Sequence, residues 1–356
     1  MKGNVKDLKQ LIYSLCSLMS ISGHESTDCD ALTELVGEYF DEHKTDAVGN
    51  HLFIKKAAKA NAPTLLIDTH FDEIGMLVTD IKEGGFLTVT SVGGLDPSIL
   101  QASEVRIYGE ETLTGIIAST PPHLKSGELA KKLKDIDELM IDTGYSKEEL
   151  EKIVRIGTPV GFAPVYRTLG GKDNIIAGKS FDNKACAAAA IYGISEVARE
   201  KLAANVCLLL SCHEETVKIG GVAPAAFNLC PDYAVVIDVN LASVPGVERG
   251  ETVDMGDGIS VAISAITDKK LTRLALELCE EKSIKCQKCA APSSTGTNTT
   301  CLSIVSGGVP VADIGLPIKN MHTYTEVLDL NDAKALADFV KELVCCEKIA
   351  EVYANE

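Results

Sequence analysis

Three runs of this chain are apolar with little alternation: TLLIDT (64–69), NVCLLLS (205–211) and YAVVIDVN (233–240). Each is far shorter than the ~20 residues that cross a bilayer. Each is also too continuous for a strand with one face in water. Such runs belong to strands buried on both sides, in a sheet covered by helices on each face. The segments around them have helical spacing. Residues 5–19 and 26–43 read as amphipathic helices, broken at Ser20-Ile21-Ser22-Gly23. An Ala-rich helix is predicted over 182–200, a short one over 221–228, and others over 269–281 and 331–348. HLFIKK (51–56) and GISVAIS read as further strands.

Between Ile74 and about Pro164 the pattern changes. Short β-rich runs (IGMLVTDI, FLTVTSV, EVRIYG, TLTGIIAS) are separated by turns such as Glu83-Gly84-Gly85, and only SKEELEKIV (146–154) looks helical. This is the pattern of a small barrel or sandwich. With 356 residues, about two domains are expected. The division is a discontinuous α/β domain, 1–73 and 165–356, with a β-rich insertion at 74–164.

A formal net charge of −17 and no basic run argue against a nucleic-acid or anionic-membrane partner. Aromatics are 5% with no Trp, too few for a base-stacking groove. The apolar start of the chain has helical spacing and no small-residue cleavage site, so it reads as a first helix rather than a signal peptide. Twelve cysteines in a long chain then read as reduced thiols, which implies a cytoplasmic location. Cys286 and Cys289 form a CxxC, but the second pair of a zinc ribbon is absent.

The histidines are few enough to weigh singly. His43, His51 and His123 lie in polar, turn-like contexts and read as surface residues; His24 lies in a loop beside Glu25. His70 ends an apolar strand, where side chains of α/β sheets point into the ligand crevice. Asp72, two residues on, lies on the same side in an extended segment and can fix the tautomer of a metal-bound imidazole. A plain His–Asp pair closing a strand is the alternative. Asp182 opens the Ala-rich helix as an N-cap or as a ligand. Glu214 and Glu215 end an apolar strand, where two carboxylates are costly without a cation. Asp238 interrupts another such strand, and His322 follows a Gly-Leu-Pro stretch expected to be a loop. Two imidazoles and three carboxylates, His70, Asp182, Glu215, Asp238 and His322, suffice for two divalent ions with one bridging carboxylate.

These residues sit in segments that, in order and over nearly the whole chain, resemble the M42 family of metallo-aminopeptidases, which includes glutamyl and tetrahedral aminopeptidases. SISGHE (20–25) resembles the family's SGxE, VGNHLFIKK (48–56) its GN-strand, and THFDEIGMLVTDI (69–81) its HxDEIG segment. SVGGLDPSIL (91–100) is similar to IGGxDP, SFDNKACAA (180–188) to the DDRAG helix start, and CHEETVKIGGVAPAAF (212–227) to EEVGLRGA. VIDVN (236–240) resembles the aspartate strand and IGLPIKNMHTYTEV (314–327) resembles IPxRYxHSxxE. The chain departs from the pattern at Asn183 and Lys184, at Asn298 in GTNT (296–299), and in Lys319-Asn320-Met321-His322, where the family has an arginine.

The resemblance implies a mixed-sheet α/β zinc-peptidase domain with an inserted barrel-like dimerisation domain. It implies two divalent ions per subunit, Zn or Co with Mn possible in their place. His70 and Asp238 would hold one, Glu215 and His322 the other, and Asp182 would bridge them. Glu214 would be the general base for a water between the ions, and Asp72 would orient His70. It also implies a cis peptide at Asp182–Asn183. The expected reaction removes the N-terminal residue from peptides with a free N-terminus. The expected assembly is a homo-oligomer, from dimer to dodecamer. A deacylase with the same two ions, or a non-catalytic oligomeric scaffold, is the alternative. The preferred N-terminal residue is not readable from the chain.

Overall fold

The computed structural model describes residues 7–119, 121, 135–216, 220–248, 250 and 252–351. His123 lies outside them. Helices α1 (Leu8–Ser17) and α2 (Cys29–Val36) lead into strands β1 (Glu42–Thr45), β2 (His51–Lys55) and β3 (Thr64–His70). There follow β4 (Gly75–Lys82), β5 (Phe86–Val92), β6 (Glu104–Tyr108), β7 (Thr112–Ile117), β8 (Met140–Asp142), the single turn α3 (Lys147–Leu150) and β9 (Pro159–Phe162). Next come β10 (Arg167–Thr168), β11 (Ile175–Gly178), α4 (Phe181–Ser195), β12 (Asn205–Ser211), α5 (Val222–Leu229), β13 (Tyr233–Leu241), β14 (Ile259–Ser264) and α6 (Lys269–Glu281). The chain continues through β15 (Cys286–Ala291), α7 (Thr299–Leu302), β16 (Val311–Lys319), β17 (Glu326–Asp329), α8 (Leu330–Val344) and α9 (Lys348–Glu351).

Eleven strands form one mixed sheet in the order β1-β2-β12-β3-β13-β16-β17-β11-β10, with β14 also on β16 and β15 on β14. The three apolar runs are its centre: β12, β3, β13 and β16 run parallel. Alternate residues of each run face opposite sides. Leu65 and Ile67 pack with α1, α4, α6 and α8, and Leu66 packs with α5 and α7. The expected two-faced burial is therefore met. Strands β4-β5-β8-β7-β6-β9 close into a barrel around its own core, including Val89, Ile107, Ile141 and Val160.

Several elements differ from expectation. The helix expected over 26–43 stops at Val36, and Glu42–Thr45 instead pairs antiparallel with His51–Ile54 as β1. Gly37 caps the helix, and strand pairing, not local propensity, decides the rest. His51 is fully buried and His43 half-buried, against the expected surface placement. The Gly-Leu-Pro stretch lies inside β16, not in a loop. The helix expected over 146–154 is only the turn α3. The CxxC falls on strand β15, where residues three apart point to opposite faces, so its two sulfurs cannot chelate one ion together. All twelve cysteines are free. No described helix is long and apolar enough to cross a membrane.

Candidate metal centre

The parallel strands end on one edge of the sheet, and their last residues converge there. His70 ends β3, Ser211 ends β12 ahead of Glu214 and Glu215, and Asp238 lies late in β13. Asp182 precedes the regular part of α4. Its φ/ψ of −74°/107° is not helical, and the Asp182–Asn183 peptide is cis. Its carboxylate faces the two histidines. His322 follows β16 with φ of 60°.

His70 Nε2 stands 3.0 Å from Asp182 Oδ1, 3.6 Å from Asp238 Oδ1 and 4.0 Å from Glu214 Oε2. His322 Nε2 stands 3.2 Å from Glu215 Oε2 and 3.5 Å from Asp182 Oδ2. The donor atoms form two groups, His70–Asp182–Asp238 and Asp182–Glu215–His322, each within 4.8 Å and sharing Asp182 through its two different oxygens. All seven residues singled out from the sequence lie together here.

Carboxylates outnumber imidazoles at the centre. Burial and neighbouring carboxylates push the Glu214 carboxyl up to about 8. Burial also raises Glu215 and Asp238. Burial alone would lower His70, but the carboxylates of Asp238 and Asp182 outweigh it and hold its pKa well above the ordinary value. The hydrogen bond to Glu215 lifts His322 to about 9. Four carboxylates around two imidazoles in a buried crevice form a donor set that divalent cations would neutralise. The donor types, imidazole nitrogen and carboxylate oxygen, suit Zn, Co or Mn.

Supporting residues set this geometry. His70 Nδ1 donates to the main-chain carbonyl of Asp72 at 3.0 Å, so Nε2 is the nitrogen turned toward the carboxylates. The Asp72 carboxylate is farther from that nitrogen, 3.6 Å, and instead accepts the backbone N–H groups of Glu214 at 3.0 Å and Glu215 at 3.1 Å. Burial would raise Asp72, but His70 and these N–H groups outweigh it and hold its carboxyl low. Asp72 therefore positions the Glu214–Glu215 turn as well as His70.

Glu326 did not stand out in the sequence. It is fully buried and accepts the backbone N–H of Asp182 at 3.1 Å and of His322 at 3.2 Å, tying the two ligand segments together. Glu73 was also missed; its signal was its place beside Asp72 in an otherwise apolar stretch. Gly94, on the loop after β5, brings the barrel against the centre: a Cβ there would stand 3.1 Å from His322 Nδ1.

The centre opens into a cleft of about 760 Å³. Besides these groups its lining is neutral and includes Val239, Leu241, Thr295, Thr297, Thr300 and Met321. Lys and Arg are absent from the described lining residues.

The M42 glutamyl aminopeptidase family model matches residues 49–339. The chain is 29% identical to a lysyl aminopeptidase of Pyrococcus furiosus, over 94% of this chain and 98% of that protein. A TET aminopeptidase from the archaeon Thaumarchaeota archaeon SCGC AB-539-E09 superposes with a TM-score of 0.89 at 26% identity, covering 98% of both chains. The Pyrococcus horikoshii TET1 peptidase, described as assembling into a tetrahedron or a large octahedral shell, gives 0.82 at 27% identity, over 95% of this chain and 99% of that one.

Proposed function

Because the chain belongs to the M42 glutamyl aminopeptidase family, a family of peptidase hydrolases, we propose that it removes N-terminal residues from peptides with two divalent ions in the cleft. The observation that carries this reading is the sharing of Asp182 between two imidazole–carboxylate groups. In this reading His70 and Asp238 hold one ion, Glu215 and His322 the other, and Asp182 both. Bound there, the ions supply Lewis acidity and lower the pKa of water toward neutrality. Zn or Co is the favoured pair, with Mn the next.

The chain's own groups do the rest. Glu214 is the carboxylate of the cleft that this scheme leaves unassigned to an ion, and the turn held by Asp72 aims it at the reacting position. It accepts the proton of the attacking water and returns it to the leaving amine. The surplus of carboxylates favours a substrate with a free, protonated α-amine. The carboxylates at the centre and the otherwise neutral lining favour neutral or basic first residues over glutamyl ones.

We take the barrel, with its 74–164 boundaries, as a dimerisation domain, and the likeness to the Pyrococcus horikoshii TET1 peptidase supports a homo-oligomer. Glu214→Gln tests the assignment of the base. It is expected to keep the metal content of the parent by mass spectrometry and to lose several orders of magnitude in kcat. A variant with parental kcat would reject the role.

A further inference from the structure

A second cluster lies away from the cleft, where α2 meets the β1–β2 hairpin. The register pairs His43 with Phe53 and Thr45 with His51, so these four side chains share one face of the hairpin. That face meets Cys29 and Thr33 of α2. The His43 ring stacks on Phe53 with centroids 4.2 Å apart and planes 5° from parallel. His43 Nε2 is 3.3 Å from His51 Nδ1, and Cys29 Sγ is 3.8 Å from the same nitrogen. One donor atom from each of Cys29, His43 and His51 lies within 4.8 Å of the others.

The hydrogen bonds around the cluster fix where the imidazole protons sit. The Thr33 hydroxyl donates to the Cys29 carbonyl at 2.8 Å, so it accepts from His43 Nδ1 at 3.0 Å. His51 Nε2 lies 3.3 Å from the main-chain carbonyl of Glu25, which can only accept. Each outer ring nitrogen therefore carries its proton, and each inner nitrogen turns a lone pair inward. Two lone pairs facing at 3.3 Å repel unless a cation lies between them. An imidazole whose far nitrogen is held by a carbonyl or hydroxyl is the form that binds metals. Tetrahedral zinc, with Zn–S of ~2.3 Å and Zn–N of ~2.0–2.1 Å, sets its donor atoms roughly 3.3–3.6 Å apart. The His43–His51 separation of 3.3 Å falls in that range, and Cys29 Sγ at 3.8 Å lies just beyond it. Thr45 Oγ1 stands 3.4 Å from His51 Nδ1 and 3.6 Å from Cys29 Sγ, beside the open fourth position.

We propose that Cys29, His43 and His51 form a structural site for a borderline-soft divalent ion of the zinc class, separate from the ions of the cleft. On binding, the Cys29 thiol releases its proton to solvent as the sulfur–metal bond forms, with no change of oxidation state. The site ties α2 to the hairpin. It also braces the cleft at one remove, because Glu25 accepts the backbone N–H of His213 at 3.0 Å, next to Glu214. The proposal does not rest on the catalytic reading, since the cleft ligands contain no sulfur.

The test is metal content per subunit together with the near-ultraviolet spectrum of cobalt-exchanged protein, in which a thiolate–cobalt bond gives a charge-transfer band. The parent is expected to carry one ion more than Cys29→Ser and than His43→Gln. The band should appear in the parent, persist in Cys212→Ser and vanish in Cys29→Ser. Cys212 is the nearby control thiol, committed to Val48 O at 3.1 Å and Asn50 Oδ1 at 3.2 Å. Equal metal content in the parent and both site variants would overturn the proposal and leave a shared proton between the imidazoles. A band that survives Cys29→Ser, or follows Cys212, would overturn it as well.

Discussion

Glu73 is fully buried, yet it is held as a carboxylate by Lys179 Nζ at 2.5 Å, Lys184 Nζ at 3.3 Å and the Ser180 hydroxyl. Burial would raise it, but these partners outweigh burial and bring its pKa down to about 2. The cluster locks the segment after His70 to the segment before Asp182, so it holds two ligand strands in place. Lys184 stands where the family pattern has Arg. Its ammonium also donates to Leu18 O at 2.7 Å and sits over the Phe71 ring, contacts a single point charge can make without a planar fork. Removing one member of a buried ion cluster costs ~3–5 kcal/mol, and Glu73→Gln is expected to lose that much in urea unfolding at pH 7. The folded pKa is depressed, so the contribution is complete above the unfolded value near 4.5 and fades as pH falls toward 2. The gap between parent and variant should narrow over that window; a gap independent of pH would contradict the assignment. Asn298, another departure, donates to Asp68 Oδ2 at 2.9 Å and to Ser211 Oγ at 3.0 Å. Burial already pushes Asp68 up to about 7. Asn298→Asp would set a second carboxylate against it, and the pair must then share a proton. A raised folded pKa means stability is lost as pH rises through it, so the variant's Tm should fall further below the parent's at pH 9 than at pH 6.

Helices α4 and α8 cross at Gly193, where an added Cβ would stand 2.4 Å from the Ala337 carbonyl oxygen. Two effects compete in Gly193→Ala. Helix propensity favours Ala by ~1 kcal/mol, while overpacking against backbone costs ~1–3 kcal/mol. The crossing cannot move aside as a side chain tip would, so net destabilisation is expected in thermal unfolding. At this scale the chain was partly legible. β3, β12 and β13 announce themselves because burial on both faces leaves few polar positions. The polar strand β1 and the two-residue β10 carry no such pattern; only their partners make them strands. The same holds for the site. His70, Glu214, Glu215 and Asp238 are visible as charged residues in or just after apolar strands. Glu326 and the buried His51 are not, because their roles come from what other segments bring to them.

The two bodies of the fold meet at the centre: the sheet edge supplies the ligands, and the barrel's Gly93–Gly94 turn closes against Glu215 and His322. We propose that the carboxylates gathered there hold divalent cations and that the remaining charge attracts the amine of the substrate. That claim is tested most directly with a panel of aminoacyl-p-nitroanilides, free and N-acetylated, offered to chelator-stripped protein with Zn or Co restored. The account predicts cleavage of the free-amine series alone, only with metal, with lysyl and neutral residues ahead of glutamyl. Cleavage of the acetylated series, or equal rates after the ions are stripped, would contradict it.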